Sequence, residues 1–198
     1  RRNEQLADAA ERSAVIADWM GAVPYPKEAL NDAWKRFLWH QFHDDLTGTS
    51  IWEAYTYSWN DEFLAQGQFC DVILASAGAA ASVMDTRAKG SPVLVYNPAA
   101  YSRRSLVEAT VDLPAEAEGV AVYAPDGKTV PAQIVARDGA RATVLFAAAM
   151  EPVSYAVYDV RAGKAGKGKV LRASGNTLEN RVYKVTPDAN GDIASVID

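Results

Sequence analysis

The chain has 198 residues, of which 49% are hydrophobic and 23% charged, an ordinary globular composition for one large domain or two small ones. Its net charge of −5 argues against nucleic acid as a main partner, because no basic surface is available to neutralise phosphates. The single cysteine, Cys70, excludes an internal disulfide, and no apolar run reaches the roughly 18 residues that a membrane-spanning helix needs.

Two helices are predicted in the first 45 residues. Apolar residues recur at a spacing near 3.6 over residues 3–22, which predicts an amphipathic helix that ends at Gly21 and Pro24. A second helix is predicted over residues 26–45, and its pattern places His40 on the outward face.

A third, longer helix is predicted from Ser50 to about Met84. Ser50 lies three residues before Glu53, the spacing of a capping box. Aromatic side chains at helical spacing are typical of a core, so we expect most of those in this half to be buried, with one or two at a pocket rim. The aromatic residues concerned are Trp34, Trp39, Trp52, Tyr55, Tyr57 and Trp59. Cys70 is expected to be a small buried hydrophobic residue.

Short β runs are predicted in the second half, after a Gly- and Pro-marked linker at residues 86–92. Three Asp-Gly or Asn-Gly pairs predict tight turns between antiparallel strands, at Asp126–Gly127, Asp138–Gly139 and Asn190–Gly191. The Gly/Lys-rich run at residues 163–169 is predicted to be a flexible, solvated loop.

These elements predict a two-part α+β fold. Short connections between the helices predict a three-helix bundle over residues 1–88. The strands that follow predict an antiparallel, β-sandwich-like domain over residues 89–198, truncated at the end of the chain. We expect a longer protein around it, since the first residues lie inside a helical pattern and the last inside a strand pattern.

The run QFHDDLTGT, residues 41–49, is the most informative for function. It places the imidazole of His43 and the carboxylates of Asp44 and Asp45 beside a Thr-Gly-Thr turn. These groups suit a divalent metal, a bound polyol or both, although a His-Asp pair at a helix end is also typical of capping and solvation. His40 lies three residues before His43, so a two-histidine site is a second interpretation. Asp45 is interpreted as a solvated charge, and Gly48 as the residue that allows the turn.

Four stretches, the first of which contains this run, form a wider pattern. WKRFLWHQFHDDLTGTS at residues 34–50 is followed by Ser91–Pro98, by Glu151–Tyr158, and by Leu178–Asn180 with Gly191–Asp198. In this order they resemble segments of the glycoside hydrolase family 38 α-mannosidases. One departure is a serine in the third stretch, EPVSYAVY, where the family usually has glycine.

The resemblance implies a function for the longer protein, a retaining α-mannosidase that hydrolyses terminal α-linked mannose from glycans. It implies that His43 is one ligand of a zinc ion whose other ligands lie outside this chain. It also implies that Asp44 hydrogen-bonds hydroxyl groups of the bound mannose. The two catalytic carboxylates of such an enzyme would lie in a preceding barrel, so no catalytic residue is predicted here and the isolated chain is expected to be inactive.

The alternative is a non-catalytic module that binds carbohydrate or serves in assembly. The expected partner is a mannose-containing glycan or oligosaccharide, with no nucleic acid and no membrane span. A homo-oligomer is left open.

Overall fold

The structure is a computed structural model that describes residues 1–164 and 172–198. Four helices occupy its first part: α1 (Arg2–Trp19), α2 (Lys27–Trp39), α3 (His43–Thr47) and α4 (Trp52–Val83). The three long helices form the predicted bundle, in which α1 and α2 both pack against α4.

Small side chains let α1 approach α4 closely. Ala7, Ala10 and Ala14 recur at helical spacing and are fully buried, which leaves room for larger side chains from the other helices. Phe69 of α4 is also fully buried, and Trp34 of α2 meets its ring edge-on with the centroids 5.8 Å apart. The remaining members of this core are Leu30, Ala33, Phe37, Ala65 and Val72.

The second helix is shorter than predicted. It ends at Trp39 rather than near residue 45, and Phe42 is extended, with φ −59° and ψ 145°. A new helix then begins at His43. Two consecutive aspartates favour a helix start over a helix interior, because their charges complement the positive end of the helix dipole.

The predicted capping box at Ser50 is wrong. Residue Ile51 precedes α4, and no side chain caps that helix. The Ser50 hydroxyl instead donates a hydrogen bond to Oδ1 of Asp45 at 2.7 Å.

Eleven strands follow: β1 (Ser91–Asn97), β2 (Arg103–Asp112), β3 (Val120–Tyr123), β4 (Thr129–Val130), β5 (Ala132–Asp138), β6 (Arg141–Met150), β7 (Ser154–Ala162), β8 (Arg172–Ser174), β9 (Thr177–Glu179), β10 (Lys184–Pro187) and β11 (Ile193–Ile197) in the described part of the chain. They form sheets of order β1-β7-β3-β4, β2-β6-β5 and β11-β10-β9-β8. The predicted α+β class is therefore confirmed.

The three predicted hairpin turns are confirmed as well. Asp126–Gly127 connects β3 to β4, Asp138–Gly139 connects β5 to β6, and Asn190–Gly191 connects β10 to β11. Each pair of strands is antiparallel. Of the loop predicted over residues 163–169, the part from 165 onward lies outside the described residues.

Packing divides the chain into two compact units. One comprises Arg1–Ser105 and Ala148–Tyr158, and the other Leu106–Ala147 and Asp159–Asp198. The division predicted between residues 88 and 89 stays a prediction. None of the helices in the described part of the chain has the length and apolarity that a membrane crossing requires.

Within the first unit, helix α1 is bonded to strands as well as to helices. Tyr96 of β1 donates its hydroxyl proton to the carbonyl of Ala9 at 3.1 Å. Arg12 donates to the carbonyl of Pro98 at 2.6 Å. The bundle and these strand ends therefore share direct hydrogen bonds.

Candidate functional site around the short helix α3

His43 is the first residue of α3, not the last turn of α2 as predicted. Its side chain is 74% exposed, and its Nε2 lies 3.4 Å from Oδ2 of Asp44. The ring packs against Phe42, with the two centroids 4.2 Å apart. An exposed imidazole with one flank held by an aromatic ring remains accessible to a ligand from outside the chain.

Asp44 is held by its main chain, which leaves much of its carboxylate exposed. Its carbonyl accepts hydrogen bonds from the backbone of Thr49 at 3.0 Å and of Ser50 at 3.1 Å, and from the Tyr55 hydroxyl at 3.3 Å. Its Oδ1 accepts one from the Thr49 hydroxyl at 3.2 Å, and the side chain is still 49% exposed. The loop after α3 thus fixes this residue, and its second carboxylate oxygen, Oδ2, faces Nε2 of His43.

Gly48 makes that loop possible. It follows α3 with φ +80° and ψ 24°, the left-handed conformation that glycine adopts without steric cost. The predicted turn role of this residue is confirmed.

His40 and Asp45 are not where the sequence predicted them. His40 is buried rather than outward-facing, and Asp45 is largely buried rather than a solvated charge. Nδ1 of His40 lies 3.0 Å from Oδ2 of Asp45, and Nε2 lies 3.1 Å from Oδ2 of Asp61. Asp45 also accepts hydrogen bonds from the hydroxyls of Ser50 at 2.7 Å and Ser58 at 2.9 Å.

The two histidines therefore have different environments. Both ring nitrogens of His40 are occupied by carboxylates, whereas His43 is exposed next to Asp44. The two-histidine site has no support in this geometry. Sequence reasoning missed Asp61 and Ser58, although their spacing of three residues on a predicted helix places them on one face.

The carboxylates change the ionisation of this cluster. Burial opposes the charged form of His40, but its hydrogen bonds to Asp45 and Asp61 outweigh that cost and raise its pKa. The hydrogen bonds from His40, Ser50 and Ser58 lower the pKa of Asp45 to about 2. The hydrogen bond from His40, followed by the one from Arg36, lowers the pKa of Asp61.

A cavity of about 610 Å³ opens beside α3. Aromatic rings and carboxylates both line it, so the cavity offers apolar faces beside hydrogen-bond acceptors. The lining comprises Trp39, His40, Phe42, Asp44, Asp45, Ser50, Ala54, Tyr57 and Ser58. His43 is not among these residues. Asp44 and the aromatic side chains therefore share the cavity wall, and the imidazole of His43 lies outside it.

The aromatic side chains are mostly not in the core, contrary to the prediction. Trp39, Tyr57 and Trp52 are well exposed, and only Trp34 of the predicted set packs into the bundle core. Helical spacing does not distinguish a buried aromatic face from an exposed one, because both repeat with the same period.

His43 and Asp44 suit a zinc site as contributors to it, not as a complete site. Imidazole nitrogen and carboxylate oxygen are both zinc donors, and His43 is exposed enough to reach an ion. Structural and catalytic zinc sites take at least three protein ligands. No group of three or more His, Cys, Asp or Glu residues able to hold a metal ion exists among the described residues. A zinc ion here would need further ligands from beyond them.

Known proteins resemble this chain in sequence over its first part and in fold over its whole length. Residues 1–77 match the family model of the alpha mannosidase middle domain. A solved structure of a protein in glycosyl hydrolase family 38 from Enterococcus faecalis has the same fold, with a TM-score of 0.73 and 22% sequence identity. The likeness covers all of this chain and 28% of that one. A comparison with curated proteins gives no match.

Residues 1–77 therefore match a domain of the α-mannosidases, and the chain as a whole shares the fold of a glycosyl hydrolase family 38 structure. The resemblance stated from the sequence is confirmed. Because the chain spans little more than a quarter of its structural relative, the activity of the whole protein is a matter for proposal.

Proposed function

We propose that this chain is part of a metal-dependent retaining α-mannosidase that removes terminal α-linked mannose from glycans. The match of residues 1–77 to the alpha mannosidase middle domain supports this specificity. The observation that carries the proposal is the arrangement at α3, where an exposed His43 and a half-exposed Asp44 stand side by side.

In this proposal His43 supplies one zinc ligand, and other parts of the longer protein supply the rest. When bound, zinc would act as a Lewis acid and orient sugar hydroxyl groups. Asp44 accepts hydrogen bonds from mannose hydroxyls, and charge-assisted bonds of this kind are short and strong. Its fixed main chain lets it do so with little reorganisation.

The catalytic carboxylates of a retaining glycosidase lie about 5–5.5 Å apart across the scissile bond, one as nucleophile and one as acid and base. We assign neither role to this chain. The partly buried carboxylate of Asp45 already accepts hydrogen bonds from Ser50 and Ser58 and contacts His40. The purified 198-residue chain should therefore release no aryl alcohol from an aryl α-mannoside above a mock-purified control.

The experiment that tests the metal assignment uses the longer protein. His43→Ala should lose both bound zinc and turnover of the aryl α-mannoside. Asp44→Asn should keep zinc but lose turnover. Gln41→Ala, an exposed change two residues from His43, is the matched control and should retain both. Full zinc content and activity in His43→Ala would overturn the proposal.

The non-catalytic alternative has one observation in its favour. Trp39, Phe42 and Tyr57 line the cavity beside Asp44, and an aromatic face with a nearby carboxylate can hold a pyranose without any metal. Titration of the metal-free 198-residue chain with methyl α-mannoside distinguishes the two. Saturable binding that Tyr57→Ala abolishes and EDTA leaves unchanged would favour the binding module.

A further inference from the structure

His40 joins three helices at one point. It follows directly after α2, its Nδ1 faces Asp45 of α3, and its Nε2 faces Asp61 of α4. The His40 side chain is 8% exposed and that of Asp45 16%, so water does little to screen the contact between them. A third charge, Arg36 of α2, reaches the same Asp61 at 3.0 Å.

The hydrogen-bond geometry defines the ionisation of the ring. A neutral imidazole carries one N–H and one bare nitrogen, whereas both nitrogens donate in the imidazolium. A neutral His40 would turn a lone pair toward one of the two carboxylates, at 3.0 or 3.1 Å. Only the imidazolium donates to Asp45 and Asp61 together.

We propose that His40 is an imidazolium that positions α3, and through α3 the residues His43 and Asp44, against α2 and α4. The ring nitrogens of His40 contact Asp45 and Asp61 rather than His43 or Asp44, so His40 acts through Asp45, the next residue along the short helix. The significance for catalysis rests on the proposed function, but the positioning itself does not.

Asp45 transmits this effect because its two oxygens are shared among three donors. Oδ2 accepts from His40 and from Ser58 of α4 at 2.9 Å, and Oδ1 accepts from Ser50 at 2.7 Å. A helix of five residues has too few internal hydrogen bonds to be stable alone. Its position therefore depends on these side-chain bonds.

The test uses the imidazole nitrogen signals of the 198-residue chain, which contains only two histidines. His40→Gln identifies which signals belong to residue 40. In the unsubstituted chain, both His40 nitrogens should keep their protons to a pH above about 6.5, where free imidazole titrates. Asp45→Asn and Asp61→Asn should each lower the pH at which His40 titrates. Asp32→Asn, an exposed change on α2, should leave that pH unchanged.

Positioning is measured separately, by hydrogen exchange at the Asp45 and Leu46 amides, which donate to the Phe42 carbonyl at 3.1 and 3.0 Å. After correction for intrinsic exchange, these amides should open more often as pH rises through the His40 titration. The equilibrium constant for opening should increase about tenfold for each pKa unit by which folding raises the pKa of His40. Amides of the α1 core should not change with this titration.

Titration of His40 at or below about pH 6.5 would overturn the proposal. Hydrogen exchange in α3 that stays constant through the His40 titration would overturn it as well. The titration itself is followed in the unsubstituted chain, and His40→Gln serves only to assign its signals. Neither measurement involves zinc or sugar, so failure of the proposed function leaves both results interpretable.

Discussion

The hydroxyl of Tyr155 lies 2.7 Å from the hydroxyl of Ser13, although 142 positions separate the two residues in the chain. Ser13 is fully buried on α1 and Tyr155 lies in β7. The ring of Tyr155 also stacks on Tyr96 of β1, with centroids 4.7 Å apart. This contact belongs to the first compact unit, so a helix of the bundle and two strands share one packed environment.

The Ser13–Tyr155 bond should contribute measurably to stability. We expect Ser13→Ala and Tyr155→Phe each to lower the free energy of unfolding, with a coupling of about 1 kcal/mol between them in a double-mutant cycle. Ser82→Ala, an exposed serine on a helix, is the matched control and should change stability by less than about 0.5 kcal/mol. Additive effects of the two substitutions would show that the hydroxyls do not interact in solution.

Trypsin should cut after Arg87 without separating the two products. Its side chain is 91% exposed in the connection between α4 and β1, so cleavage there is expected early. The bonds from Tyr96 to Ala9 and from Arg12 to Pro98 cross the cut, and they should hold the products together. Co-elution in size-exclusion chromatography, with two bands on a denaturing gel, is the expected outcome. Separate elution would favour independent domains divided at residues 88 and 89.

The sequence predicts the helices and hairpins of this fold well, because their signals are local. Gly21 ends α1, and Asp138–Gly139 turns β5 into β6, each through chemistry confined to a few neighbouring residues. The Ser13–Tyr155 contact has no such local signal. Its partners become visible only when the strands are assembled against α1.

The candidate site was predicted in part for the same reason. His43, Asp44 and Gly48 belong to one contiguous run, and the structure places them together at α3. The environment of His40 was not found, because it depends on Asp61, which is 21 positions away. A helical pattern extended through residue 45 placed His40 on the wrong face, since α2 ends at Trp39.

The His40 cluster should make stability depend on pH in two directions. His40 has a raised pKa in the folded state, so its contribution is complete below about 6.5 and is lost as pH rises through that raised pKa. Asp45 has a lowered pKa, so its contribution is present above about 4 and is lost as pH falls toward about 2.

Comparison with His40→Gln isolates this dependence. The difference in melting temperature between the unsubstituted chain and the variant should be greatest between about pH 4 and about pH 6.5. It should shrink on either side of that range. A difference that stays constant with pH would mean that His40 contributes through packing alone.

Gly48→Ala should destabilise the chain. With φ at +80°, an alanine there would cost about 1–2 kcal/mol of conformational strain, even though its Cβ would come no closer than 4.0 Å to the Tyr55 hydroxyl. Gly67→Ala is the matched control, because Gly67 lies inside α4 with nothing within 4 Å of the added carbon. It should be neutral or stabilising by up to about 1 kcal/mol. Thermal unfolding of both variants gives the comparison, and equal melting temperatures would contradict the turn geometry.

The unequal placement of the five tryptophans gives this chain an unusual optical character. Trp34 is packed against Phe69 and donates its indole proton to Glu11 at 2.8 Å, whereas Trp19, Trp39, Trp52 and Trp59 stand largely in water. The intrinsic fluorescence of the folded chain should therefore resemble that of an unfolded protein, because four of its five tryptophans are exposed to water. A shift of the emission to shorter wavelength would therefore indicate that another molecule or protein segment covers the aromatic side chains near α3 and the start of α4. The same shift would carry little information about the bundle core.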